Sequence, residues 1–262
     1  MAERKRVIWC VAVLLTIAVC AAPVAEAQLR EPEQRFFISI DGGFQGGSQQ
    51  VQNQAVTPDV FGEDQITKTD HNIDHTAAAG RVSVVARLWG NLGFGLGYTV
   101  SSEAGEGVVT VMVPHPIFYN RPRTASTDLT DLRHREDMFH FQAVYIVPLP
   151  TDRYILDRAQ LQIFGGPTVM TVAQAVVTGA TTGEVGPPFA AVTLHDVQRQ
   201  ELTTTGLGFN VGMDFAYMFG DSYGAGMFVQ YAGGSLDFEG RGGPSEVTVG
   251  GIQFGGGLRF RF

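Results

Sequence analysis

Cysteine is almost absent from this chain of 262 residues. Its two cysteines, Cys10 and Cys20, both lie within the first 27 residues, which we predict are removed during export. The remainder then has no thiol, so it forms neither a disulfide nor a thiolate metal site. It also contains no apolar run long enough to cross a membrane as a helix. Its stability must therefore come from elsewhere.

Basic charge is also scarce. The full chain has a formal net charge of −8. Its first 27 residues contribute three bases and two acids, a net of +1, which leaves −9 for residues 28–262. Lys68 is the only lysine of that remainder. Such an acidic balance argues against nucleic acid as a partner.

The first 27 residues have the three parts of a secretory signal peptide. Basic residues 4–6 precede an apolar run over 7–24, and Ala25 and Ala27 form the small-residue cleavage site. A retained signal anchor is one alternative, against which the cleavage site argues. A lipoprotein leader ending at Cys20 is another, but the residue before it is not small. We expect a signal peptide over 1–27, a periplasmic segment over 28–34 and a barrel domain over 35–262.

Strict alternation of apolar with polar or small residues recurs along the chain. It is clear at the end, where Leu258, Phe260 and Phe262 alternate with Arg259 and Arg261, because successive side chains of a strand point to opposite faces. Eight segments have this pattern and about the length of a tilted spanning strand. They cover residues 36–44, 78–89, 92–101, 138–147, 160–172, 207–219, 223–236 and 252–262.

The connections alternate between long and short. Segments 45–75, 103–137, 173–203 and 237–246 are long, whereas 90–91, 148–158 and 220–222 are short. Outer-membrane barrels have short periplasmic turns and longer external loops. The sequence therefore predicts an all-β, closed, antiparallel up-and-down transmembrane barrel of eight strands with long external loops. Ten strands remain possible if 108–113 and 190–201 form an additional pair.

Strand parity separates an inward set of side chains from an outward set. We expect the inward polar residues to form a network with arginine–carboxylate pairs, since an unpaired charge in a packed lumen is costly. Arg81 and Ser83 share the parity of Arg87. The predicted network consists of Asp41, Arg87, His140, Gln142, Asn210, Asp214, Gln253, Arg259 and Arg261. Outward aromatic residues typical of an interfacial girdle are Trp89, Tyr98, Tyr145, Tyr217, Phe219 and Tyr223.

On this alternation, the turn asymmetry and the terminal Leu258, Phe260 and Phe262, the chain resembles the small outer-membrane barrels of Gram-negative-type bacteria. It is similar in plan to the transmembrane domain of outer membrane protein A and to the outer membrane protein X group. The resemblance implies that the three terminal residues are the signal read by the barrel-assembly machinery. It also implies a bacterial outer-membrane location, contact with lipid and lipopolysaccharide, and a monomer.

Three questions of function stay open at this point. The lumen is either plugged, which a narrow barrel favours, or a narrow channel for small or apolar solutes. A lipid-modifying enzyme is a third reading. However, His140 is followed by no serine at a partnering spacing, and nothing in the sequence places Ser39 or Asp214 near a base, so we expect no catalytic residue. Residues 70–75 contain two Asp–His steps without a metal-site signature, so we expect no metal and no cofactor.

One predicted connection is rich in proline, aromatic residues and arginine. It serves either as a recognition loop for an extracellular ligand or as a rigid turn whose arginines reach lipopolysaccharide phosphates. Its candidate contact residues are His115, Phe118, Tyr119, Arg121 and Arg123.

Overall fold

Eight antiparallel strands, each hydrogen-bonded to its neighbour in sequence, close into an up-and-down barrel. The structure is a computed structural model that describes residues 34–118, 120–149, 158–240 and 243–262. The strands are β1 (Phe36–Val60), β2 (Glu63–Trp89), β3 (Leu92–Val113), β4 (Arg123–Val147), β5 (Ala159–Glu184), β6 (Val192–Met218), β7 (Tyr223–Gly240) and β8 (Gly243–Arg261). The eight-strand prediction is confirmed, and the ten-strand alternative is wrong because 108–113 and 190–201 lie within β3 and β6.

Closure of the ring depends on the pairing of the first strand with the last. β1 pairs with β8 from Phe37↔Arg261 to Gly46↔Ile252. Their backbones approach so closely that a Cβ atom on Gly257 would lie 1.9 Å from the carbonyl oxygen of Ile40. Since both edge strands are paired there, the sheet has no open edge at this level.

The strands are longer than the alternation predicts, at 18 to 27 residues. Most of segments 45–75, 103–137 and 173–203, which we expected to be loops, continue the strands as hairpins. The β1–β2 hairpin closes with a two-residue turn at Phe61 and Gly62, whose φ angles are 56° and 83°. Positive φ at both positions is what a type I′ turn requires. We call this side of the barrel the hairpin end, and the opposite side the short-turn end.

The outside of the barrel near the short-turn end is an apolar band. Its strands expose one large apolar side chain at every second position, such as Phe94 and Leu96 on β3 and Val211 and Met213 on β6. Aromatic rings occupy both margins. Trp89, Tyr145, Tyr217, Phe219 and Tyr223 lie at the short-turn margin, while the contacting pair Tyr98 and Phe139 lies at the other.

Beyond the band, toward the hairpin end, the sheet separates into layers. Among the described residues the β4–β5 ladder ends at His134↔Gln174, and the β6–β7 ladder ends at Gly208↔Gly234. The extended parts of β1–β4 and the β5–β6 hairpin pack together through an apolar core. Its buried members are Val109, Val111, Val113, Leu129, Leu132, Val177 and Val192.

The described residues contain no helix of the length and hydropathy that crossing a membrane requires.

Candidate functional site

Four buried charges form an ion-pair cluster across the barrel lumen. Asp41 lies opposite Arg81 in the β1–β2 ladder, and Arg81 Nη1 lies 3.3 Å from Asp41 Oδ2 and 3.3 Å from Asp214 Oδ2. Arg259 Nε and Nη2 each donate to Asp214 at 2.9 Å. Arg259 Nη1 donates to Asp41 Oδ1 at 2.5 Å. Each carboxylate therefore contacts both guanidinium groups, and the cluster is neutral overall.

Aromatic rings and glycine complete this lumen cluster (Asp41, Arg81, Asp214 and Arg259). The Arg81 guanidinium lies over the rings of Phe164 and Phe228, 5.1 and 4.5 Å from their centroids. A Cβ on Gly226 would lie 2.8 Å from Arg259 Nε. The glycine on the inward face thus leaves the space that the arginine fills.

A layer of amides and hydroxyls surrounds His140, which is fully buried. Gln230 Nε2 lies 3.1 Å from His140 Nε2 and donates to it, so His140 Nδ1 carries the hydrogen and donates to Thr168 Oγ1 at 2.9 Å. Asn210 Nδ2 also donates to Thr168 Oγ1, and Asn210 Oδ1 accepts from Gln142 Nε2, both at 2.9 Å. Hydrogen bonding across four strands ties this layer together.

A buried carboxylate defines the next polar layer toward the hairpin end. Glu136 accepts hydrogen bonds from Gln45 Nε2 at 2.6 Å and from His134 Nε2 at 2.8 Å. Gln253 Nε2 donates to Gln45 Oε1 at 2.8 Å. A cavity of about 20 Å³ beside Glu136 is also lined by Glu103 and the buried ring of His134. That volume suits a water molecule and is too small for an organic solute.

The inward residues predicted from parity fall into two groups. Seven of them occupy the buried interior: Asp41, His140, Gln142, Asn210, Asp214, Gln253 and Arg259. The other two do not join the network, which corrects the prediction for them. Arg87 donates to Gly90 O and to Asn91 Oδ1, and Arg261 donates to Asp221 O at 2.9 Å. Both arginines are half-buried at the short turns, because strand ends place them beside unpaired carbonyl groups.

Sequence reasoning left out several interior residues. Arg81 has the same strand parity as Ser83, and this parity could have identified it as inward-facing. The sequence does not reveal that Arg81 lies close to Asp214, which is 133 positions away. The sequence analysis predicted segments 45–75 and 103–137 to be loops, and these segments contain Gln45, His134 and Glu136. Their buried positions follow from the continuation of β1 and β4 beyond the band.

The hairpin end is held together by a salt bridge between two hairpins. Arg123, at the start of β4, pairs with both carboxylate oxygens of Glu184 at the end of β5, with Nη2 donating to Oε1 at 2.7 Å. Arg123 also donates to the carbonyl oxygens of Pro114 and Phe189 at 2.7 and 3.2 Å. These hydrogen bonds hold the pKa of the Glu184 carboxyl below its usual value.

The candidate recognition residues therefore have different roles. His115 is buried, and its Nδ1 accepts hydrogen bonds from the backbone N–H groups of residues 117 and 118 at 3.1 Å, so it shapes the turn. Arg123 is buried in the salt bridge. Phe118 and Arg121 are exposed, with the guanidinium 5.9 Å from the ring centroid. Tyr119 lies outside the described residues.

The terminal residues lie at the seam of the barrel. Leu258 and Phe262 are exposed on the apolar band, and Phe260 is half-buried opposite Ile38. Phe262 N donates to Phe36 O at 2.9 Å. Ala25 and Ala27, assigned to signal cleavage, lie outside the described residues.

The described residues contain no group of three or more His, Cys, Asp or Glu side chains placed to hold a metal ion. The side chains of residues 71–76, which carry most of the Asp–His cluster noted in the sequence, lie outside that description.

No protein-family model matches the sequence, and no curated protein matches it. Among solved structures, the chain is similar to the outer membrane protein OprG from Pseudomonas aeruginosa, with 12% identity, a TM-score of 0.42 and coverage of 88% of this chain and 97% of that chain. It is also similar to Neisserial surface protein A, with 9% identity, a TM-score of 0.40 and coverage of 87% and 97%. A third is Ail, the attachment invasion locus protein of Yersinia pestis, crystallised with the heparin analogue sucrose octasulfate, with 11% identity, a TM-score of 0.38 and coverage of 86% and 99%. Similarity at this level bears on neither the activity nor the ligand of this chain.

Proposed function

We propose that this protein is an integral outer-membrane β-barrel, closed to solutes and without enzymatic activity, that presents a rigid β-extension for contact at the cell surface. The observation that carries the proposal is the filled interior. The lumen cluster, the His140 layer, the Glu136 layer and the apolar core of the extension follow one another from the short-turn end to the hairpin end.

Placement in a membrane rests on the outside of the barrel. An apolar band around a closed barrel is costly in water and favourable in lipid. A closed ladder satisfies every backbone hydrogen bond without solvent, which a lipid-exposed sheet requires. Aromatic rings at both margins of the band match the two membrane interfaces. The predicted signal peptide over residues 1–27 would export such a barrel across the inner membrane.

The orientation follows from the turns. Short turns face the periplasm in outer-membrane barrels and longer segments face outward. The hairpin end then projects from the cell, with Ile117 and Phe118 exposed on the β3–β4 turn. The Arg123–Glu184 salt bridge fixes that turn against the β5–β6 hairpin. A rigid, partly apolar tip supports surface contact as the role of the extension, and the contacting partner would be a protein or surface outside the cell.

Planar-bilayer conductance of the refolded protein, residues 28–262, tests the closed lumen. We expect no single-channel steps, with heat-modifiable gel mobility showing that the barrel has folded. The double variant D214A/R259A removes one pair of the lumen cluster, and it should stay silent because the layers above still fill the lumen. Reproducible steps from the wild-type protein would overturn the proposal and favour a narrow channel for small solutes.

A further inference from the structure

We infer that the outer sheet face of the extension binds a basic amphipathic helix of a partner protein. The contact surface consists of Asp70 of β2, Glu106 and Val108 of β3, and Asp128 of β4, which are all exposed. We call these four residues the acidic face. The inference names the kind of partner for the surface contact proposed above, so it rests on that proposed function. It does not depend on whether the lumen conducts.

The ladder register brings these side chains together. Val108 pairs with Asp70 across the β2–β3 ladder and with Asp128 across the β3–β4 ladder. Directly opposed side chains on one side of a sheet have Cβ atoms about 5 Å apart. Glu106 lies two positions before Val108 and therefore on the same side of the sheet, about 7 Å away along the strand. Three carboxylates thus border one exposed valine.

The carboxylates of the acidic face have no ion pair among the described residues. Lys68 is exposed two positions from Asp70 on the same side of β2. Arg199 reaches the edge of β4 and donates from Nη1 to Thr130 O at 3.2 Å. Neither base pairs with Asp70 or Asp128, so the charges of the acidic face stay available to a partner.

Apolar surface accompanies these charges. Val108 is 44% exposed, although it lies on the part of β3 beyond the apolar band. Two outward positions farther toward the β3–β4 turn, Met112 pairs with Ile66 of β2, and both side chains are half-buried. Val56 of β1 pairs with Ile66 in the same row and is 37% exposed. A partner on this face would therefore contact both carboxylates and apolar side chains.

The charge of the hairpin end favours a cationic partner. By sequence, segments 47–77, 102–137, 173–205 and 235–250 contain 17 acidic and seven basic residues, a formal net charge of −10. The rest of residues 28–262 has a net charge of +1. A charge of one sign on one part of a protein attracts partners of the opposite sign and repels those of the same sign. Polyanions are therefore poor partners for this surface.

The spacing of the carboxylates matches a helix better than a single ion. Asp70 and Asp128 are two strand spacings apart, roughly 10 Å, whereas a bound Ca²⁺ needs its oxygen ligands at about 2.5 Å. Helix positions i and i+7 are roughly 10.5 Å apart along the axis, and i+4 lies between them on the same side. Lysine or arginine at i and i+7 would meet the two aspartates, and an apolar residue at i+4 would contact Val108.

The height of the acidic face separates it from the membrane. Val108 lies ten residues beyond Tyr98, which marks the outer margin of the band on β3. Ten residues of a strand extend about 33 Å. A partner protein can approach at that height, and anionic lipid phosphates would be repelled by the three carboxylates. The geometry therefore points to a basic protein segment and not to a lipid.

Fluorescence anisotropy of a labelled helical peptide with the refolded barrel, residues 28–262 in neutral detergent, tests the inference. The probe is an alanine-rich peptide of about 16 residues with lysine at i and i+7 and leucine at i+4. We expect D70N/E106Q/D128N to bind it roughly tenfold more weakly than the wild type, because the charge contacts are lost. The matched control E63Q/D196N/E201Q removes three exposed charges elsewhere on the hairpin end, and its affinity should change less than roughly twofold.

Two further measurements test the apolar and electrostatic parts separately. V108T leaves the charge unchanged and should weaken binding roughly threefold, because the valine contact loses apolar area. Raising NaCl from about 0.05 to about 0.5 M should slow association of the wild type with the peptide. Sucrose octasulfate, a polyanion, should not bind. Heat-modifiable mobility verifies folding of each variant.

The outcomes distinguish this inference from the proposed function. Equal weakening in the triple variant and its matched control would overturn the acidic face, since net charge alone would then explain binding. Unchanged affinity of V108T, association that does not depend on salt, or binding of sucrose octasulfate would also overturn the inference. Channel steps in the bilayer experiment would instead overturn the closed lumen and would leave the peptide result unaffected.

Discussion

At the scale of single residues, Asp214 shows how the lumen cluster depends on charge balance. It accepts hydrogen bonds from Arg259 and from Arg81. In D214N, two buried guanidinium groups would face the one carboxylate of Asp41. We expect this variant to lose about 3–5 kcal/mol in the free energy of unfolding. The measurement is the urea midpoint in lipid vesicles, followed by the heat-modifiable gel shift.

The double variant D214N/R81Q restores neutrality and is the control for this explanation. It leaves the Arg259–Asp41 pair intact at 2.5 Å. If charge imbalance causes the loss of stability in D214N, then D214N/R81Q should be at least as stable as D214N. The second substitution removes the excess buried charge, so the effects of the two substitutions on the free energy of unfolding should not add. A further loss of stability in the double variant would show that packing, and not charge, dominates.

Glu184 makes the hairpin end sensitive to acid. Its hydrogen bonds with Arg123 keep its folded-state pKa below the usual value of 4.5. An ionised carboxylate with a lowered pKa stabilises the fold above the unfolded pKa, and this contribution disappears as pH falls through the folded pKa. We therefore expect faster hydrogen exchange over 185–191 below about pH 4, measured by mass spectrometry.

The variant E184Q controls for the intrinsic pH dependence of exchange. It lacks the titrating group, so the ratio of its exchange rate to that of the wild type should fall toward one as pH decreases. A ratio that stays constant from pH 7 to pH 3 would contradict the role of the Arg123–Glu184 pair.

At the scale of elements, the last strand combines closure of the barrel with an assembly role that remains a prediction. Arg35 N and Phe36 N donate to Phe262 O at 2.6 and 3.1 Å. Deleting Phe262 removes these hydrogen bonds and the exposed terminal ring. We expect export to continue and membrane insertion to fall, measured by fractionation and heat-modifiable mobility.

Phe219→Ala is the matched control for the terminal deletion. Phe219 is another exposed aromatic residue at the short-turn end, but it lies at a turn and not at the seam. Its variant should insert normally. Normal insertion of the chain lacking Phe262 would remove the assembly role of the terminus.

Strand alternation predicted the parts of the strands inside the band and missed the rest. Within the band, lipid outside and a polar lumen inside enforce one parity. Beyond the band, the exterior of the barrel meets water. Glu106 of β3 and Asp128 of the neighbouring β4 therefore face outward there, while Val109 and Val111 of β3 face inward. The apolar side changes from outside to inside along the same strand. A search for uniform alternation therefore assigns these segments to loops.

At the scale of the whole molecule, closure brings together residues that are remote in sequence. Asp41 and Arg259, which share a hydrogen bond, are 218 positions apart. The ring of eight ladders makes them neighbours, since β1 pairs with β8. The same closure fills the narrow interior with side chains, so the filled lumen belongs to the barrel and not to any one segment.

Local physics was enough to determine the strand count, the short turns and most inward polar residues, because each depends on the alternation of neighbouring side chains. The same alternation also indicated that the exterior of the barrel is apolar. Only the tertiary structure decided that Arg81 completes the lumen cluster, that Arg87 and Arg261 bind turns, and that the long connections are hairpins around an apolar core. These outcomes depend on ladder register and on which strands face each other beyond the band, and neither is encoded in the spacing of residues along one strand.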